Sequence, residues 1–529
     1  MNMQPLSPHW ADQAAVRVIA KRGDKERYTV ASGITPSGTV HIGNFREVIT
    51  VDLVARALRS RGKQVRFIYS WDDFDTFRKV PKNFPNQEKL ATFLRQPISR
   101  VPDPWEKTES YAMANIRRFE DELRPMGISP EFIYQHKRYC AGEYAAKIRE
   151  ALEKKDAIRA ILDRFRTEPL ETSWLPTAIY CEKCDRDDME YERYDGEWNY
   201  SYSCKSCGNK ATTDIRKTNN LKLNWRTDWP MRWSYEGVDF EPGGKDHSSE
   251  GGSFDTASIV VKEIWEQEPP VYLQYDFVSI KGGTGKMSSS KGELLTLTDA
   301  LSVYDPHMVR WLFANQRPNH DFALAFDADV IKFYDEFDRS EGQIFAPGAA
   351  ENPKLALQRR TYELSIPDGV IPAQKPIRPG FRVLCNRLQV CDGNIGRTFE
   401  QFYSTEITSV EDRRRFTERA ERAWTWLQKH APEEFCYSIR KDAAPMTLAP
   451  AEDAALRALR AIVERGDVES LAPADLNQAI YDQAIHGSGC EPLAFFKVVY
   501  QKLIARDQGP RLPGFLKEIG RERLLGLLK

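Results

Sequence analysis

The sequence predicts an α/β protein: a Rossmann-like parallel-sheet domain that carries an insertion and is followed by an all-α C-terminal domain. Three observations carry this prediction. Residues 27–71 read as strand, Gly/Pro/Ser loop, helix and second strand, the order of a βαβ unit. Two Cys-x2-Cys pairs stand between residues 181 and 207, inside what is otherwise sheet and helix pattern. Beyond residue 330 the apolar residues recur at helical spacing and strand alternation disappears.

The chain has 529 residues, too many for one hydrophobic core, so three or four domains are expected. Hydrophobic residues make up 41% and charged residues 29%, which excludes disorder as the main state. With a formal net charge of -1, any nucleic-acid partner has to be met by local basic surface. No run reads as a signal peptide or a membrane span, and five of the nine cysteines are scattered. The expectation is a cytoplasmic protein of a reducing compartment with no membrane partner.

The first element is the strand Arg27–Gly33, which runs into Ile34-Thr35-Pro36-Ser37-Gly38-Thr39-Val40-His41-Ile42-Gly43-Asn44. Val48, Val51, Ala55 and Leu58 then mark a helix that stops at Gly62. This arrangement suits phosphate: the glycines admit close backbone approach, and the helix N-terminus offers free N–H groups and a positive dipole end. The next strand, Gln64–Trp71, ends at Asp72, Asp73 and Asp75, where ligands bind in open α/β sheets. Alone, His41-Ile42-Gly43 is a short match of the kind that recurs by accident.

Cys181-x2-Cys184 and Cys204-x2-Cys207 are separated by nineteen residues, the pattern of two knuckles that share one tetrahedral Zn(II). With four cysteines the shell is closed, so the zinc is expected to be structural; two independent dithiols are the alternative. Tyr191, Tyr194, Trp198, Tyr200 and Tyr202 suggest a small β-ribbon between the pairs. Trp225, Trp229 and Trp233 would line one helix face, as core or as substrate wall, although Pro230 interrupts it.

Val271–Ile280 is rich in strand residues and precedes Lys281–Gly292, a glycine, serine and lysine loop that contains Met287. Such a loop can close over a triphosphate and follow its developing charge. After residue 326 a Pro/Gly-rich stretch, 366–380, reads as a linker. Leu456, Leu459 and Val463 mark one helix, and Phe495, Phe496, Val499, Leu503 and Ile504 another. Arg413, Arg414 and Arg415, with Arg419 and Arg422, read as a solvated helix face.

Together, His41-Ile42-Gly43-Asn44 and Lys286-Met287-Ser288-Ser289-Ser290 resemble the paired signatures of class I aminoacyl-tRNA synthetases. Asn44 and Ser289 replace the usual histidine and lysine, which is the form found in class I lysyl-tRNA synthetases. Trp71–Asp75, Lys79–Pro81, Trp225–Pro230 and Gly243–His247 are similar to that family as well. The resemblance implies ATP-dependent activation of L-lysine and its transfer to tRNA(Lys), with Mg(II) on the triphosphate and a monomeric enzyme. It implies catalytic roles for His41, Asn44, Lys286 and Ser289. ATP would also meet Pro36, Gly38, Gly43, Gly244, Asp246, Met287, Ser288, Ser290 and Lys291. Lysine would meet Gly33, Thr35, Asp72, Asp73, Trp225, Trp233, His247 and Tyr275.

The corresponding domain expectation divides the chain into four parts. Residues 1–110 and 221–325 form the two halves of the catalytic domain, and 111–220 form the zinc-bearing insertion on the acceptor-stem side. Residues 326–529 form a helical anticodon-binding region. A small-metabolite nucleotidyltransferase and a catalytically dead tRNA-binding relative are the competing readings. The zinc insertion and long helical end count against the first, and the intact His41, Gly43, Lys286 and Asp246 against the second.

Overall fold

The computed structural model describes residues 9–82, 84–281 and 295–529. The loop signature Lys286–Lys291 therefore lies outside the described residues. Strands β1 (Arg27–Ile34), β2 (Gln64–Trp71), β3 (Glu131–Tyr134), β4 (Phe240–Gly244) and β5 (Val271–Tyr275) form one sheet, in the order β5-β4-β1-β2-β3. Every pairing is parallel. The chain builds outward from β1 through β2 to β3, then returns to place β4 on the other side of β1. The order thus reverses between β1 and β4, which opens a crevice at their carboxyl ends.

Helix α1 (Trp10–Arg22) and helix α2 (Ile42–Arg59) belong to the same layer system. On α2, Phe45, Val48, Ile49, Val54 and Leu58 are buried, a stripe broad enough to cover the sheet on one face. The sheet side of this core holds Tyr28, Val30, Phe67 and Tyr69, while Ala31 and Ile68 face the other way, toward Trp229 and Trp233. The sequence reading begins the insertion at residue 111, yet β3 follows that point and completes the sheet.

Two compact units emerge from the contacts. The first comprises 1–301, 306–324 and 340–373; the second comprises 302–305, 325–339 and 374–529. The sequence reading assigns everything from 326 onward to the helical region, whereas residues 340–373 pack with the sheet. Arg310 explains why. Its side chain is buried, donates to Asp52 Oδ2 at 2.6 Å, and donates to the carbonyls of Met126, Leu364 and Ser365 at 3.0 Å each. A buried guanidinium needs this full set of acceptors, so helix Ala356–Ser365 is part of the first unit's core. Burial lowers the Arg310 pKa to about 10, against the pull of Asp52.

Within the first unit, Met189–Tyr194, Asn199–Cys204 and Lys210–Asp214 form an antiparallel ribbon, and Thr177–Ile179 pairs antiparallel with Leu221–Leu223 at its base. The tyrosine-rich run between the cysteine pairs is therefore the expected ribbon, with Tyr200 and Tyr202 buried in it.

The second unit is helical over most of its length. Pro450–Glu464 and Pro492–Ile504 bury Leu456, Leu459 and Val463 against Phe495, Val499 and Leu503. Gly466, at φ 84°, turns the chain after the first of these helices. The arginine run lies on helix Val410–Lys429 and is tied by local ion pairs: Arg414 to Glu411 at 2.7 Å and Arg415 to Asp412 at 3.0 Å. Arg419 points inward to Asp338 at 2.8 Å. Among the described residues no helix is long and apolar enough to cross a membrane.

Candidate active site

A cavity of about 760 Å³ opens at the carboxyl ends of the strands, on the crevice between β1 and β4. His41 caps α2. Its Nδ1 accepts the Gly43 N–H at 3.1 Å, while Asn44 Oδ1 accepts the His41 N–H at 3.1 Å. The two residues form a reciprocal capping box. With Nδ1 as acceptor, the neutral ring carries its proton on Nε2. Asn44 thus has a structural task that fits an amide well: its oxygen holds the cap and its NH2 remains a donor. The loop ahead is held by Tyr111, whose hydroxyl donates to Ser37 O at 2.7 Å.

Of the residues expected at the nucleotide, Gly38, His41, Gly43, Asn44 and Asp246 line the cavity. Pro36 and Gly244 flank it. Asp246 and His247 stand on a single 3-10 turn, Lys245–His247, directly after β4.

Of the residues expected at the amino acid, Gly33, Thr35, Asp72, Trp225, His247 and Tyr275 line the cavity. A side chain at Gly33 would put its Cβ 2.8 Å from the Ser70 carbonyl oxygen, so the close β1–β2 approach requires glycine there. Asp73 and Trp233 do not line it. Asp73 accepts the His136 N–H at 2.7 Å, and burial raises its pKa to about 7. The indole of Trp233 donates to Glu241 Oε2 at 2.5 Å, and that of Trp229 donates to Glu241 Oε1 at 3.0 Å. The tryptophan stripe therefore has two functions. Trp225, stacked on Trp229 at 5.0 Å between ring centroids, faces the cavity, while the rest is core. Its helix, Trp225–Glu236, runs through Pro230.

Charge in the pocket is paired with unusual care. Asp72 binds Arg232 at 2.6 Å, and Arg232 also reaches Ser70 Oγ at 2.7 Å and Asp228 at 3.3 Å. Asp75 binds the Lys222 ammonium and accepts the Thr35 hydroxyl at 2.8 Å. Burial pushes the Asp75 pKa up but Lys222 outweighs it, leaving the carboxyl below its ordinary range.

Glu47 differs, for it makes no ion pair among the described residues. It accepts from Ser32 Oγ at 2.9 Å, the Gly33 N–H at 3.0 Å and the Tyr275 hydroxyl at 2.6 Å. Burial raises its pKa despite these donors. Sequence reading missed Glu47, Lys222 and Arg232. A signal existed for Glu47: it lies three residues after Asn44 on the same helix face.

The four knuckle cysteines meet as expected. Their Sγ atoms all lie within 4.8 Å of one another, with Cys181 to Cys207 and Cys184 to Cys204 at 3.6 Å. A closed set of four sulfurs fits one tetrahedral metal ion.

A parallel sheet whose switch point carries a histidine-capped helix, with a knuckle insertion between the sheet halves, defines the class I tRNA synthetase type of nucleotide-binding enzyme. Residues 8–368 match the family profile described as tRNA synthetases class I (K). The lysine–tRNA ligase of Borreliella burgdorferi is 45% identical over 519 residues, 97% of this chain and 98% of that protein. That of Treponema pallidum is 43% identical over 100% of this chain and 99% of the relative. That of Thermococcus kodakarensis is 42% identical over 98% and 99%. The chain belongs to the class I (K) tRNA synthetase family.

Proposed function

We propose that the protein is a lysine–tRNA ligase, which activates L-lysine with ATP and transfers the lysyl group to tRNA(Lys) in cytoplasmic protein synthesis. The observation that carries the choice of lysine is Glu47. A carboxylate on the cavity wall, half-buried and supplied among the described residues with three neutral donors but no cation, matches an incoming ammonium. Trp225 and Tyr275 supply walls for the aliphatic stem. Because the Thr35 hydroxyl proton is committed to Asp75, its lone pairs accept from the substrate α-ammonium.

In the first step the lysine carboxylate attacks the ATP α-phosphorus in line and pyrophosphate leaves. No covalent enzyme intermediate is needed, and the protein orients the reactants and stabilises growing charge on phosphate oxygens. His41 donates through Nε2–H beside the α2 N-terminus, and the Asn44 amide adds a second donor. Lys286, Met287, Ser288, Ser289, Ser290 and Lys291, although outside the described residues, are assigned to the Mg(II)-bound triphosphate and the departing pyrophosphate. Asp246 takes the ribose hydroxyls. The 2′-hydroxyl of the terminal tRNA adenosine then attacks the carbonyl carbon of the lysyl-adenylate, forming the ester as the mixed-anhydride bond breaks and AMP leaves with the hydroxyl proton.

Cys181, Cys184, Cys204 and Cys207 would hold a structural Zn(II), which fixes the knuckle without entering the reaction. The insertion would lie on the acceptor-stem side and residues 326–529 would read the anticodon, with the enzyme working as a monomer. ATP–pyrophosphate exchange with each amino acid, followed by charging of tRNA(Lys), tests the reading. Exchange driven by lysine alone, and lysyl-tRNA formation, are expected. Strong exchange with glutamate or arginine in place of lysine would overturn it, as would tRNA binding without any exchange. His41→Ala should cut turnover at least about a hundredfold while leaving lysine affinity nearly unchanged, since its contact is made mainly in the transition state.

A further inference from the structure

We infer that the cysteine knuckle sets the amino-acid side of the pocket, and that Asp187, between its two cysteine pairs, is a positioning residue for lysine activation. This rests on the lysine reading above. Two routes run from the knuckle toward one carboxylate, Asp75, and they meet at Tyr180. The first passes through the stem strands. Lys222 sits opposite Ala178, three residues before Cys181, and both Ala178 and Lys222 line the cavity. The stem is locked where it meets the knuckle: Tyr180 N–H donates to Asn220 O at 2.7 Å, and Asn220 Nδ2 donates to Tyr180 O at 2.8 Å. Lys222 then holds Asp75.

The second route passes through Asp187, three residues after Cys184. Asp187 Oδ2 accepts the Thr76 hydroxyl at 2.9 Å, and its Oδ1 pairs with Arg95 Nε at 2.8 Å. The Asp187 N–H returns to Arg95 O at 3.0 Å, which closes the clamp. Thr76 Oγ1 also lies 2.9 Å from the Tyr180 hydroxyl, which donates to Phe74 O at 2.9 Å. Thr76 is a wall of the cavity and follows Asp75 directly in the chain.

Asp75 is thus held through its carboxylate by a residue of the knuckle stem, while its chain neighbour Thr76 is held through its hydroxyl by Asp187. The other Asp75 oxygen fixes the Thr35 hydroxyl, the group assigned to the substrate α-ammonium. A knuckle that loosens releases both holds together, and the loss falls on lysine. The nucleotide elements, His41 and Asn44 on α2 and Asp246 after β4, have no part in either route.

The test compares the full-length wild type with Thr76→Val, Thr76→Ser and Asp187→Ala, using calorimetric lysine titration and the separate KM values for lysine and ATP in pyrophosphate exchange. Thr76→Val and Asp187→Ala are expected to weaken lysine binding about tenfold and to leave the ATP KM within about twofold, because one hydrogen bond to a charged group is lost. Thr76→Ser restores lysine binding. Chelator-treated wild type, checked by circular dichroism for retained fold, shows the same selective loss in the titration. Unchanged lysine affinity with only tRNA charging reduced would overturn the inference, as would equal losses for lysine and ATP or no rescue by serine. If the wild type shows no lysine-dependent exchange, the ligase reading itself fails, which is a different outcome.

Discussion

At the residue scale the pocket is a lesson in which carboxylates are spoken for. Asp72 and Asp75 stand at the end of β2 as the sequence suggests, but each already has a buried cation, Arg232 and Lys222. Glu47, on helix α2, has neutral donors only among the described residues. Glu47→Gln keeps the shape and loses the charge, so the lysine KM should rise about thirtyfold or more with the ATP KM little changed; exchange kinetics measure both. The pH dependence has a definite sign. Burial raises the Glu47 pKa, and a lysine ammonium binds the ionised form, so lysine affinity is present at high pH and lost as pH falls through that raised value. Titration calorimetry across pH reads this loss, and Glu47→Gln should remove it. The aspartates were legible because acid at a strand end is a local signal. Their partners were not, since Arg232 and Lys222 reach β2 from 160 and 147 residues away.

At the element scale the strands β1 and β2 and the helix between them were readable to within a few residues, because alternation, glycine stops and helical spacing all agreed there. What periodicity could not convey was the cap. Asn44 holds the His41 backbone N–H, so an asparagine at this position preserves the cap of the helix N-terminus. Asn44→Asp keeps the acceptor, whereas Asn44→Ala removes it and should cost about 1 kcal/mol of stability, read as a lowered Tm. The tryptophan helix shows the opposite limit. Its spacing was visible, but only packing decides that Trp225 meets the cavity and that Trp233 is tied to Glu241.

At the scale of the whole molecule the boundary between the two units depends on Arg310 more than on any linker. A chain ending at residue 339 would leave this buried guanidinium without Leu364 and Ser365, and should fail to fold its sheet domain. A chain ending at 373 keeps those acceptors and should retain lysine-dependent pyrophosphate exchange while losing tRNA charging; circular dichroism melts and the two assays separate the outcomes. The sequence reading placed the change of character at 326 because composition shifts there, and composition does not reveal that a helix thirty residues later returns to an earlier core.

The sheet order has a kinetic side. β1 gains its second neighbour only when Val30 meets Phe240, about 210 residues further on. During synthesis at roughly 5–20 residues per second, β1 therefore remains an open edge for roughly 10–40 s while the ribbon and its cysteines emerge. An exposed parallel edge is a template for wrong partners. The nascent chain is thus most vulnerable before its reaction centre exists, and the pace of translation through residues 71–240 governs how much of it reaches the native pairing.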